Sequence, residues 1–270
     1  MTPMKPGIYD DLPADQYHAD PAYSFSAIKQ AMRSPAHLKA WLTAPPEQTP
    51  AMRLGTLTHL AVLQPDLFAS TTAVAPIVDR RTKEGKSIWE QFQAQNTGKE
   101  IITNDEREQL TAMRDSVRIH PAASALLGEG TAEVSVFNQC AETGLPLKAR
   151  MDWVRENAIV DLKTTEDASP AGFAKSFSNY RYDLQAAHYR RMLKLQGRGD
   201  LPFYLIAVEK EAPFAVAVYR LDEGDLTLAD MQMQQQLRAI ASCCEFNSWP
   251  AYSREVETLT LPKWHNQKAA

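Results

Sequence analysis

Three short runs between residues 132 and 164 restrict the fold more than any other part of the chain. Residues 132–138 (AEVSVFN) alternate apolar and polar side chains with period two. Residues 146–155 (PLKARMDWVR) do so less cleanly, and residues 158–164 (AIVDLKT) form a short apolar strand with a polar end. Period two is the signature of a half-buried strand, and Gly144 and Asn157 stand where turns are needed. Three consecutive antiparallel strands are therefore expected. Two further strands are read at 203–208 (FYLIAV) and 214–220 (FAVAVYR), with helices at 182–195 and 223–245.

The first half of the chain reads as helix. Ser24 or Ser26 caps a short helix through Met32, and Ser34 followed by Pro35 supplies the N-cap and first position of another through Trp41. Ala44 to Pro50 (APPEQTP) reads as a linker, and 51–63 (AMRLGTLTHLAVL) as a buried helix. Residues 70–86 look irregular and end in Arg80, Arg81, Lys83 and Lys86, with helix again at 86–96. Thr103 with Glu106 three residues later forms a capping box that opens another helix. Residues 1–22 read as an irregular arm and 251–270 as a C-terminal segment. One α/β domain is expected over 23–250, with a helical part at 23–127 and a sheet-containing core at 131–246 joined by helix 51–63.

Composition excludes several classes. With 44% hydrophobic residues in 270, the chain has enough apolar content for a packed core and too much for disorder. There is no apolar run of transmembrane length and no apolar stretch behind the first six residues, so neither a membrane span nor a signal peptide is expected, and the cytoplasm is the expected location. Cys140, Cys243 and Cys244, two of them adjacent, suit reduced thiols rather than a disulfide framework. A net charge of −4 argues against a basic coat but not against an acidic metal site beside a basic groove.

The chemistry concentrates at Asp161-Leu162-Lys163. Alternation puts Asp161 and Lys163 on one face of their strand, and an antiparallel neighbour can bring Asp152 across. Two carboxylates would then meet an ammonium at one sheet edge. Carboxylate oxygens suit Mg²⁺ or Mn²⁺, and the Leu162 carbonyl can add another oxygen. The lysine would act electrostatically, orienting or deprotonating a water or neutralising charge in a transition state. Taken alone, the tripeptide also fits a surface ion pair. His59 is either a ligand or a hydrogen-bonded core histidine, and Gly55 one turn earlier suggests a close backbone approach. Gln185 and Tyr189 share a helix face.

In this order, G-x-x-x-H at Gly55–His59, Asp152, D-x-K-T at Asp161–Thr164 and Q-x-x-x-Y at Gln185–Tyr189 resemble the RecB-like branch of the PD-(D/E)xK nucleases. The strings GTLTHLAVLQP, RRTKEGK, KARMDWV and DLKTTEDAS, and the opening YSFSAIKQAMRSPAHLKAWL, are similar to the RecE (exonuclease VIII) nuclease domain. The resemblance spans the chain from about Tyr9 to the last helix. It implies a restriction-endonuclease-like α/β core, with a mixed central sheet flanked by helices and a helical N-terminal part. The implied activity is 5′ to 3′ degradation of linear double-stranded DNA, leaving 3′ single-stranded tails for recombination by annealing.

The resemblance also implies roles. His59, Asp152, Asp161 and the Leu162 carbonyl would hold Mg²⁺ or Mn²⁺, and Lys163 would position water. Gln185 and Tyr189 would organise the site or contact DNA. Arg80, Arg81 and Lys86 would clamp phosphate, although such a run is also a common solvated loop. Glu133 is either a carboxylate near the metal or a salt-bridge partner, and Thr164 sits beside the site. A RecT-like annealing protein, DNA ends and a homo-oligomer, in the form of a tetrameric ring, are the implied partners. Three cysteines do not supply the four ligands of the iron–sulfur relatives, so no cluster is expected. A RecB-like nuclease of other polarity and a non-catalytic DNA-end-binding scaffold are the alternatives.

Overall fold

The strand signals and helix caps are realised in a computed structural model that describes residues 2–44 and 47–261. In chain order its elements are β1 (Gly7–Tyr9), α1 (Ala14–Ala19), α2 (Phe25–Arg33), α3 (Pro35–Thr43), α4 (Pro50–Leu63), α5 (Pro65–Thr71), β2 (Thr72–Val74), α6 (Lys83–Gln95), β3 (Glu100–Ile102) and α7 (Asn104–Ile119). They continue with α8 (Pro121–Leu126), β4 (Thr131–Gln139), β5 (Pro146–Val154), β6 (Ile159–Thr165), α9 (Pro170–Tyr180), α10 (Tyr182–Leu195), β7 (Phe203–Glu209), β8 (Val216–Arg220) and α11 (Glu223–Glu245).

The caps work as read. Ser24 accepts from the Ala27 N–H, and Ser34 from that of His37 with Pro35 in the first turn. The Thr103 hydroxyl and the Glu106 carboxylate each accept the other residue's backbone N–H, which satisfies two donors that a helix start otherwise leaves open.

Six strands form the main sheet in the order β1-β4-β5-β6-β7-β8. β6 and β7 run parallel and every other pair is antiparallel, so the sheet is mixed. Alternation along β6 divides its side chains. Ile159 packs with Ile28 and Leu38 of α2 and α3 and with Leu184, Met192, Met233 and Leu237 of α10 and α11. Val160 and Leu162 pack on the other face with Val62 and Leu63 of α4 and Met113 and Val117 of α7. Each such fully buried aliphatic side chain contributes about 1.5–3 kcal/mol. These two cores clamp β6 from both sides.

Several expectations need correction. The N-terminal arm is not irregular throughout: β1 pairs with β4 and α1 follows it. Lys148 of β5 holds this arm by donating to the Tyr17 and Asp20 carbonyls at 2.7 Å each. The linker stops at Thr49, which caps α4 with Pro50 as its first residue; Pro45 and Pro46 lie outside the described residues. Within 70–86, Thr72–Val74 pairs in parallel with β3. The charged patch is partly helical because Thr82 caps α6 at Lys83, ahead of the expected start. The second late strand begins at Val216 rather than 214. In the C-terminal segment, 251–261 has no regular structure and 262–270 lies outside the described residues. Among the described residues no helix is long and apolar enough to cross a membrane.

Candidate active site

β5 and β6 pair at only two positions, Trp153 with Val160 and Val154 with Ile159. Beyond them the strands part, while β6 continues along β7 to Thr165. Continuing the register sets Asp152 opposite Asp161 at the opening of the gap. There the Asp152 carboxylate replaces the lost ladder bond, accepting the Leu162 N–H at 2.7 Å. The N–H and C=O of one residue project to the same strand edge, so the Leu162 carbonyl is directed at this gap too.

On β4, Glu133 stands across from Asp152. Its φ of +56° is a left-handed conformation that L side chains disfavour. The alternation of both strands slips here: Ala132 and Trp153 pack on one core, Val134 and Met151 on the other. The outcome is a cluster. Ligand atoms of His59, Glu133 and Asp152 lie within 4.8 Å of one another, with His59 Nδ1 3.5 Å from Asp152 Oδ2. His59 is half-buried on α4 and faces the Asp152 carboxylate.

Asp161 and Lys163 share the α10 side of β6, as alternation requires. Lys163 Nζ lies 2.5 Å from Asp161 Oδ2, and the aspartate side chain is 0% exposed. Apart from Lys163, no donor among the described residues reaches either Asp161 oxygen, and Oδ1 is left without a partner. A buried carboxylate in that state is costly, and the observation fits a hard cation, whose preferred ligand is such an oxygen. Asp152 adds to this. Burial and the neighbouring Asp161 carboxylate push its pKa up to about 7, against the opposing pull of His59 and Lys163. Burial alone would lower the Lys163 pKa, but Asp161 and Asp152 more than offset that and hold it above the usual lysine value. The centre thus has an excess of negative charge that a divalent cation would neutralise.

Other expected residues fall into two groups. Gln185 donates to the Tyr189 hydroxyl at 3.0 Å. Tyr189 is buried, which raises its pKa well above 10. Glu133 makes the salt bridge, accepting from Arg150 Nε at 2.7 Å, while its carboxylate also lies in the His59–Asp152 cluster. Thr164 faces α4, but the suggested close approach at Gly55 is absent: a Cβ there would meet the Thr164 hydroxyl only at an ordinary 3.9 Å. Arg80 and Arg81 lie in the turn before the largely exposed α6, and Lys86 in its first turn. Arg81 closes on Asp79 and Arg80 lies over the Trp89 ring, so two of the three cations are already engaged.

Two residues at the site escaped the sequence reading. Arg150 ties Glu133 to the N-terminal arm, donating also to the Leu12 carbonyl at 2.8 Å; its signal was the two-residue spacing to Asp152. Tyr182, whose ring lies 4.7 Å from Lys163 Nζ, precedes Gln185 by three residues on the same helix.

No curated protein matches the chain. In fold it is similar to a proposed exonuclease from Eubacterium rectale, with a TM-score of 0.58 at 15% identity over 96% of this chain and 99% of that one. A second solved structure, SSO0001, gives a TM-score of 0.28 at 16% identity over 48% of this chain and 67% of that one, and carries no argument. At these identities the likeness concerns the fold alone. Residues 24–262 match the family described as a PDDEXK-like domain of unknown function, DUF3799, and the chain belongs to that family.

Proposed function

We propose that the chain is a divalent-metal-dependent exodeoxyribonuclease that degrades linear double-stranded DNA from 5′ to 3′. One observation carries the reading. At the gap between β5 and β6, a buried carboxylate whose one partner among the described residues is Lys163 adjoins a second cluster of His59, Glu133 and Asp152. His59, Glu133, Asp152, Asp161 and the Leu162 carbonyl are the groups that would hold the cation, with Mg²⁺ proposed and Mn²⁺ as a substitute. When bound, a divalent ion supplies Lewis acidity and water activated at neutral pH.

The chain's own residues do the rest. Lys163 places a fixed positive charge where phosphate charge develops, and it needs no reorganisation because Asp161 already holds it. Tyr182 and Tyr189 shield this pair from bulk water, which strengthens its field. Gln185 fixes the Tyr189 hydroxyl.

The RecE resemblance extends the proposal to polarity, to tails handed to a RecT-like annealing protein, and to a homotetrameric ring in the cytoplasm of a cell carrying a prophage recombination system. Its support is the motif order and the longer strings quoted above. Arg80 and Arg81 in the turn before α6, and Lys86 in its first turn, are proposed to meet DNA phosphate.

Digestion of linear duplex labelled at the 5′ or the 3′ end, in parallel with a closed circle, tests the reading. With Mg²⁺ the 5′ label is expected to be released first and the circle to survive. No hydrolysis with either Mg²⁺ or Mn²⁺ would overturn it, and early release of the 3′ label would overturn the polarity.

A further inference from the structure

Beside the acidic centre lies a group of residues that the proposed chemistry does not use. α9 ends at Tyr180 and α10 starts at Tyr182, with Arg181 between them in a left-handed conformation (φ +57°, ψ +49°). That junction turns the two tyrosines onto each other: their rings stack at 5.6 Å with 23° between planes. Tyr182 covers Lys163. Tyr180 is 53% exposed. A stack thus runs from Lys163 to solvent.

Lys29 of α2 joins it, with Nζ 5.2 Å from the Tyr180 ring centroid. Lys29 is half-buried, yet among the described residues it has neither an ion pair nor a hydrogen bond. Burial lowers its pKa, and the nearby charges of Lys163 and Arg181 lower it further. Surface lysines normally point into water or pair with an acid. A half-buried ammonium repelled by two other cations, with no carboxylate beside it, is the local complement of an anion. An exposed aromatic ring at the same spot adds a surface that every nucleobase can stack on.

We infer that Tyr180 and Lys29 form a subsite for an unpaired nucleotide next to the cut, with the base stacked on Tyr180 and its phosphate on Lys29. This rests on the nuclease reading and deepens it: the site takes frayed or single-stranded ends in preference to a fully paired terminus. Phe177 and Phe173, whose rings lie 6.4 and 6.1 Å from that of Tyr182, back the stack from the core, so the platform is rigid before the strand arrives.

The test is binding of fluorescent duplexes, blunt or carrying an overhang on either strand, with Ca²⁺ in place of Mg²⁺. A 2-aminopurine is placed in the first unpaired position. The wild-type chain is expected to favour overhangs and to quench the 2-aminopurine. Tyr180→Ala should weaken overhang binding about five- to hundredfold, the range for one base–aromatic stack, and abolish the quench; Tyr180→Phe should retain both. Lys29→Ala should lower affinity for the overhang duplexes more than for the blunt one and reduce the slope of log K against log salt on the overhangs by about 0.7–0.9, the share of one phosphate; Lys29→Arg should restore it. A Tyr180→Ala variant that binds and quenches like the wild type overturns the inference and leaves the nuclease reading standing. A wild-type chain that neither binds nor cuts any duplex removes both.

Discussion

Removing the ammonium from Lys163 leaves Asp161 as a lone buried charge. The distance of 2.5 Å and the aspartate's zero exposure define how much is at stake. Breaking a buried pair by deleting one partner costs about 3–5 kcal/mol, because the remaining charge has lost its counterion and cannot reach water. No other donor stands ready, since among the described residues neither Asp161 oxygen has a partner besides Lys163. Lys163→Met keeps most of the aliphatic stem against Tyr182, so little of the loss comes from packing. For a chain of this size about 2–4 °C accompany each kcal/mol, so Lys163→Met should melt about 6–20 °C below the wild type. Calorimetry in the presence of chelator is the assay, because a bound ion would add its own stabilisation. The paired variant Asp161→Leu/Lys163→Met should recover the loss and can exceed the wild type by about 1–4 kcal/mol, as apolar replacements of buried ion pairs do. Both variants should be inactive on linear duplex. A Lys163→Met protein that melts with the wild type, or a double variant less stable than the single, would refute the burial argument.

Three further outcomes follow from the same geometry. The folded pKa of Asp152, about 7, lies above its ordinary value, so the stability tied to its protonated form is complete below pH ~4 and lost as pH rises through 7; without metal, Asp152→Asn should therefore melt above the wild type at pH 8 and level with it near pH 4, and Mn²⁺ should reverse the order at pH 8. A flat difference between the two proteins across that range would contradict the shift. Arg150→Met frees the Glu133 carboxylate and should weaken Mn²⁺ binding about ten- to hundredfold in isothermal titration, the usual effect of losing a group that orients a ligand; unchanged affinity would show that Glu133 needs no holding. Lys148→Met leaves the Tyr17 and Asp20 carbonyls without their donor and should cost about 1–3 kcal/mol per stranded group, read as early proteolytic cleavage within residues 1–22; resistance equal to the wild type would mean that β1 alone fastens the arm.

Where the sequence was legible, the cause was local. The bounds of α10 and α11 follow from helical periodicity, and the start of α7 from a capping box that satisfies its own first turn. The β4–β5 hairpin follows from alternation around Gly144, whose φ of +69° only glycine adopts freely. Asp161 and Lys163 met because the period of a strand is two. What stayed hidden depends on partners far along the chain. β1, β2 and β3 are three residues each, too short to carry a pattern, and exist through pairing with distant strands. Arg150 reads as an ordinary polar strand position until Leu12 and Glu133 are seen against it. Gly55 shows the opposite error, a glycine given a packing reason that its surroundings do not supply.

The backbone itself marks the site. Among the described residues four non-glycine positions have positive φ: Glu133, Arg181, Phe214 and Asn247. Asparagine tolerates that region, whereas glutamate and arginine give up about 1–2 kcal/mol there. Two of the four bear on the candidate centre: Glu133 belongs to its cluster, and Arg181 adjoins Tyr182, which covers Lys163. At Glu133 the unusual φ breaks the alternation of β4 and sets its carboxylate beside Asp152 and His59. At Arg181 it joins two helices without a loop and sets Tyr180 on Tyr182. Glycine or asparagine would relieve the backbone at either position, but would give up the Arg150–Glu133 pair on one side and the Arg181–Asp183 pair on the other. Strain held at two points, each orienting groups toward one gap in the sheet, is the pattern expected where conformation serves chemistry rather than the fold.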